Sequence, residues 1–130
     1  MNVREFGVQL FDRWTAMWNL ELHPKEIMAP EFVLRYAQAG TEAFDDVRHA
    51  DGLATIVAGW HESHPGLRFF AEGEAVVDLR MVEGAVTGLV ARPYKATFGE
   101  VSKSGVDVLA VSEGLITEVW SVSGARTFYG

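Results

Sequence analysis

The chain changes character at Leu67. Before it, apolar residues recur at helical spacing or in short pieces. After it, they fall in long runs rich in Val, Phe, Leu and Ile, separated by turn signals. Helices first and strands afterwards predict an α+β domain, with helices packed on one face of a sheet. Consecutive strands joined by short turns predict an antiparallel meander. A length of 130 residues suits a single domain, 1–130. With 48% hydrophobic and 22% charged residues the chain reads as globular rather than disordered.

In the first helix, Val3, Phe6, Leu10, Trp14, Met17 and Trp18 form one stripe. Asn19 follows, and Pro24 prevents continuation. His23 to Met28 suits one short helical turn with Pro24 at its start, ended by Pro30. Glu31 to Ala37 reads as a strand, and Gln38 to Ala50 as a polar loop. Asp51 is a good N-cap for a second helix whose apolar face is Leu53, Ile56, Val57 and Trp60. His64-Pro65-Gly66 stops it. Strands are expected in Leu67–Arg80, Val86–Phe98, Val106–Ser112 and Leu115–Ser123, with breaks near Glu83-Gly84, at Gly99–Gly105 and at Glu113-Gly114. Pro93 predicts an edge position or a bulge.

Eleven Lys and Arg against 18 Asp and Glu set the net charge at −7. Lys25, Lys95 and Lys103 are scattered and form no basic run. Such a surface disfavours nucleic acid and anionic membranes. The absence of Cys excludes disulfides, thiolate metal sites and a Cys nucleophile. The N-terminus opens directly into an amphipathic pattern without an apolar signal core, so a cytoplasmic location is the expectation. No glycine-rich phosphate loop or nucleophile elbow occurs, so nucleotide cofactors are unsupported.

Asp107 is the sharpest chemical signal, a lone carboxylate within Gly105-Val106-Asp107-Val108-Leu109-Ala110-Val111. Desolvation there raises its pKa and suits it to general acid or base work. The structural alternative is an Asp bonded to a loop or to a Trp N–H. Tyr36, at the end of the first strand, is either a pocket hydrogen-bond donor or a core-edge residue. His49 follows Asp45, Asp46 and Arg48 and is either a base near a carboxylate or a solvated loop residue. His61 and His64 lie on one side of the second helix but lack a third ligand, so no metal is assigned. Four Trp are many for so short a chain. Trp14, Trp18, Trp60 and Trp120 come from two helices and the last strand, and would either pack the core or wall a cavity for a flat or polycyclic apolar ligand.

The ordered pieces resemble a known family. They are Arg13-Trp14 with Met17-Trp18-Asn19, then Ile27-Met28-Ala29-Pro30-Glu31-Phe32, then Gly52-Leu53 through Trp60 to His64-Pro65-Gly66-Leu67-Arg68-Phe69. Ser104 to Leu109 and Glu113 to Trp120 complete the series. From Phe6 to Trp120 the chain resembles the SnoaL-like polyketide cyclases of the nuclear transport factor 2-like superfamily. The resemblance implies a cone, with a strongly bent antiparallel sheet wrapped around N-terminal helices and enclosing a pocket. It also implies a cofactor-free homodimer.

Carried over residue by residue, the resemblance places Asp107 on the strand where ketosteroid isomerases keep a protonated acid and cyclases an acid–base Asp. The isomerase's helix-one Tyr matches Trp14, and its base Asp matches Tyr36. Of the epoxide-hydrolase triad only Arg92 survives, since the matching stretches read Arg92-Pro93-Tyr94 and Trp120-Ser121-Val122. The family's loop Arg matches Arg48, and His49 stands where Gly is common. The resulting expectation is an acid/base enzyme of cyclase, isomerase or hydratase type, acting on a small apolar molecule. Asp107, Tyr36 and His49 would be catalytic, and Trp14, Trp18, Trp60, Arg92 and Trp120 would bind substrate. The alternatives are a non-catalytic binding or dimerisation module and an epoxide hydrolase with non-standard residues.

Overall fold

The computed structural model describes all residues from Met1 to Gly130. The elements run α1 (Val3–Trp18), a 3-10 turn (Pro24–Glu26), β1 (Met28–Tyr36), a second 3-10 turn (Glu42–Phe44), α2 (Ala50–Ser63), β2 (Arg68–Ala71), β3 (Val76–Val82), β4 (Ala85–Phe98), β5 (Val101–Ser112) and β6 (Leu115–Ser123). This is the expected α+β cone: two helices against one six-stranded sheet.

Local chemistry starts and stops α1. Asn2 caps α1 by accepting from the Glu5 N–H, and the predicted stripe buries Leu10, Trp14, Met17 and Trp18. Asn19 ends the helix and then does more. Its side-chain amide accepts from the Phe69 N–H at 2.8 Å and donates to the Phe69 carbonyl at 3.0 Å. One amide thus acts as a strand partner and clamps the end of α1 to β2. The cap of α2 is His49 rather than Asp51, which falls in the first turn. An acid there still complements the helix dipole.

The sheet order is β1-β6-β5-β4-β2, with β3 also paired to β4. The register stacks cross-strand rows. Leu34, Val119, Leu109 and Val90 form one row across β1, β6, β5 and β4, each at most 2% exposed. They join one core with Phe11 and Met17 of α1 and Leu53 and Val57 of α2. Two residues further along each strand, on the same face, the row reads Tyr36, Ser121, Asp107 and Arg92. The apolar row lies under the helices, and the polar row begins where that core ends.

Four expectations need correction. The sheet is mixed, because β1 runs parallel to β6. A helix and four strands separate these two in sequence, so no hairpin dictates their sense. The run Leu67–Arg80 is two strands, β2 and β3, interrupted near Gly73, whose φ is +60°. Pro93 lies in an interior strand, not at an edge. Its carbonyl accepts from Glu72, so its nitrogen faces the same side, where β2 has ended and β3 has not begun. The missing N–H therefore costs no ladder bond. The break expected at Gly99–Gly105 is only a tight turn at Gly99, and Ser102, Lys103 and Ser104 are paired strand residues of β5. No helix is long and apolar enough to cross a membrane.

The Asn19 clamp is the one polar joint between α1 and β2 among these contacts. Asn19→Ala removes both of its bonds and should destabilise the fold by about 2 kcal/mol. Urea unfolding checks this, and a change below about 0.5 kcal/mol would show the clamp to be dispensable.

Candidate active site

The open end of the helix–sheet sandwich holds a cavity of about 120 Å³. Its floor is the polar row and the next residues along the strands: Tyr36 from β1, Ser121 and Ser123 from β6, Asp107 from β5, and Tyr94 from β4. Trp14 and Trp18 of α1 and Trp60 and His64 at the end of α2 supply the opposite wall. Gln38, Ala39 and Phe44 close one side. These three come from the segment expected to be a solvated polar loop, yet Phe44 is only 1% exposed and stacks on Tyr36 with ring centres 4.0 Å apart.

Asp107 is 6% exposed and has one protein partner: the indole N–H of Trp14 donates to Oδ2 at 2.9 Å. Oδ1 has none. Burial raises the Asp107 pKa from 3.8 to about 6, and the neighbouring Ser121 hydroxyl and Trp14 N–H oppose only part of that rise. Ser121 is opposite Asp107 in register, but its own Oγ meets no partner in hydrogen-bonding geometry. The Tyr36 phenol is held well above its usual pKa, first by burial and then by the Asp107 charge. Tyr94 is raised by the same two causes in the same order. Both phenols are therefore neutral donors at physiological pH.

Gly105 makes the placement of Tyr94 possible. A Cβ at Gly105 would lie 2.6 Å from the Tyr94 hydroxyl and 2.4 Å from the Val122 carbonyl oxygen. The absent side chain lets the phenol lie across β5 between Asp107 and the mouth.

Four buried side-chain polar atoms lack a partner: Tyr36 Oη, Gln38 Oε1, Asp107 Oδ1 and Ser121 Oγ. All four belong to residues lining this one cavity. Buried polar groups elsewhere in the chain are paired, so the shortage is confined to one place.

The expected site residues divide. Asp107, Tyr36, Trp14, Trp18 and Trp60 line the cavity together. Trp120 does not. It pairs with Val108, one residue out of phase with Asp107 and Ser121, and stands 40% exposed on the convex face. Arg92 is in the polar row, but its side chain is drawn aside to the Gly73 carbonyl and to Asp12. His49 is exposed at the start of α2, with Nδ1 3.1 Å from the Pro30 carbonyl oxygen, and does not reach the cavity. His61 and His64 each engage a different backbone carbonyl, of Trp18 and Trp60 respectively. Tyr94, Ser121, Gln38, Phe44, His64 and Lys103 are among the lining residues that the sequence left unassigned.

The raised pKa of Asp107 has a definite linkage. Its folded value, about 6, exceeds the ordinary 3.8, so the native state holds the proton more tightly. The stability this contributes is complete below about pH 4 and is lost as pH rises through 6. The loss is on the order of 3 kcal/mol. Asp107→Asn removes the titration and keeps an oxygen for Trp14. The stability of Asp107→Asn relative to wild type should rise by about that amount between pH 4 and pH 8, measured by urea unfolding. A pH-independent difference would contradict it.

No protein-family model matches the chain, and no curated protein does. Solved structures do. A proposed SnoaL-like polyketide cyclase from Jannaschia sp. CCS1 superposes with a TM-score of 0.65 at 17% identity, covering 95% of this chain and 88% of that one. A proposed ketosteroid isomerase from Kribbella flavida gives 0.60 at 18%, covering 94% and 77%. IdmH, a proposed polyketide cyclase from Streptomyces antibioticus, gives 0.62 at 16%, covering 90% and 91%. The chain has the nuclear transport factor 2-like fold, in the form seen in SnoaL-like structures.

Proposed function

We propose that this protein is a cofactor-free acid/base enzyme of isomerase or cyclase type, acting beside a carbonyl of a small, one-ring molecule. The observation that carries this reading is the set of four unpartnered polar atoms, all on residues that line one otherwise aromatic cavity. A ligand with a carbonyl or hydroxyl group supplies what they lack. A saturated Asp107 would favour a binding module, but Oδ1 has no protein partner. The cavity volume is that of a single ring rather than a polycycle.

The chemistry follows from the protonation states. With a pKa of about 6, Asp107 is mostly ionised at pH 7 and still close enough to neutrality to return a proton. Its carboxylate removes a proton from the carbon next to the carbonyl. The electron pair moves onto the carbonyl oxygen, and the neutral phenols of Tyr36 and Tyr94 donate to that oxyanion. Return of the proton at another carbon gives isomerisation; attack of the enolate on a second carbonyl closes a ring. Trp14 holds the other carboxylate oxygen and so fixes which one reacts.

Exchange of α-protons reads the first step directly. In D₂O, wild type should accelerate deuterium uptake into small cyclic ketones, followed by NMR, with a rate that falls below about pH 6. Asp107→Asn should lower it by roughly 10²–10⁴-fold. Tyr36→Phe should cost a further, smaller factor. Uptake no faster than in buffer across a panel of one-ring ketones would remove this reading.

We also propose a homodimer built on the convex face. Trp120 and Val122 are 40% and 50% exposed there, and half-buried Val33, Val106 and Val108 adjoin them. The rim carries both signs, with Arg35 and Arg48 beside Asp45 and Glu118, which suits a patch meeting its own copy about a two-fold axis. Trp120→Arg should convert the dimer to a monomer in light scattering while leaving ligand-induced quenching of the cavity tryptophans intact. A wild type that is monomeric at micromolar concentration would rule this assembly out.

A further inference from the structure

Lys103 has no role in the chemistry above, yet it lines the same cavity. It stands on β5 four residues before Asp107, with Gly105 between them, so all three face the same side of one strand. Asp107 is 6% exposed and Lys103 half-buried, so the strand runs from the closed end of the cavity to its mouth. Four residues of strand separate their Cα atoms by about 13 Å.

The Lys103 ammonium lies 5.7 Å from the centre of the Phe98 ring and has no carboxylate within 4 Å. Lys103 is the only Lys or Arg among the residues lining the cavity. His64 is beside it, edge-on to the same Phe98 ring and stacked on Trp60. The His64 Nδ1–H donates to the Trp60 carbonyl at 2.9 Å, which leaves Nε2 free. The mouth therefore presents a cation and a free imidazole nitrogen over aromatic faces. The closed end presents a carboxylate and two phenols.

Building on the acid/base reading, we propose that the ligand is an anionic one-ring molecule: its ring enters toward Asp107, and a carboxylate at its other end is held at the mouth by Lys103. Lys103 is then a specificity-determining residue. Asp107 repels an anion from the inner end, so the two charges at opposite ends of one strand fix which way round the ligand enters.

Three probes of equal length and like shape test this: 3-phenylpropionate, 3-phenylpropan-1-ol and 3-phenylpropylamine. Trp14, Trp18 and Trp60 line the cavity, so quenching of intrinsic fluorescence reports occupancy. At pH 7.5 and low salt, the carboxylate should bind most tightly and the amine least. Lys103→Gln should weaken the carboxylate roughly three- to tenfold and leave the alcohol unchanged. Added salt should reduce the preference in wild type but not in the variant. If alcohol and carboxylate bind equally and Lys103→Gln alters neither, the anion assignment is overturned while the cavity reading stands. Preference for the amine overturns it as well. If none of the three binds, the anion assignment falls, and the proton-exchange assay separately decides whether the catalytic reading does.

Discussion

The hydrogen bond from Trp14 to Asp107 joins the two layers of the fold at the point where chemistry is possible. A carboxylate placed mid-strand among apolar residues needs compensation. Here it receives half of it. One oxygen is held by an indole from the helix packed above, and the other has no protein partner. With no polar neighbour at all, burial would push the group toward permanent neutrality. The Ser121 hydroxyl and the Trp14 N–H oppose part of that rise and leave the acid near 6, where it can take a proton and release it. The same bond locks the Trp14 ring, which in turn packs edge-on against Trp18, the ring surrounded by Tyr36, Phe44 and Phe69.

Much of the fold was legible in sequence because its signals are local. The α1 stripe, the proline that ends it, and the hairpin turns at Glu83-Gly84 and Glu113-Gly114 are written in adjacent residues, and the structure follows them. The parallel β1–β6 pairing was not, because those strands meet only after the intervening chain has folded between them. Pro93 shows the same limit. It reads as an edge residue, but the gap that accommodates it is made by the neighbouring strands.

The site was legible to a lesser degree, and parity explains why. In β6 both faces carry apolar residues: Val119 faces the core, while Trp120 and Val122 face outward. Alternation therefore cannot tell which face is inside, and the larger ring draws attention from Ser121, which does face Asp107. Tyr94 was hidden differently. Its position depends on Gly105 in the next strand, a pairing that no local pattern announces. His49 was misplaced by sequence proximity to acids, whereas the cap of α2 holds it against Pro30. For Asp107 itself, the structural reading holds for one oxygen, since a Trp N–H holds Oδ2, while Oδ1 has no protein partner, which is what the proposed acid/base role starts from.

The aromatic surplus resolves along the same line. Trp14, Trp18 and Trp60 cover the cavity and Trp120 is on the opposite face of the sheet, so one residue type serves two surfaces of different chemistry. Inside, the rings exclude water and lower the local dielectric, which strengthens the influence of Asp107 on the two phenols. They also make an unpartnered polar atom costly. An aromatic cavity with four such atoms is therefore poorly suited to being only a core. The stability forgone there is concentrated in one place, among the residues that line the cavity.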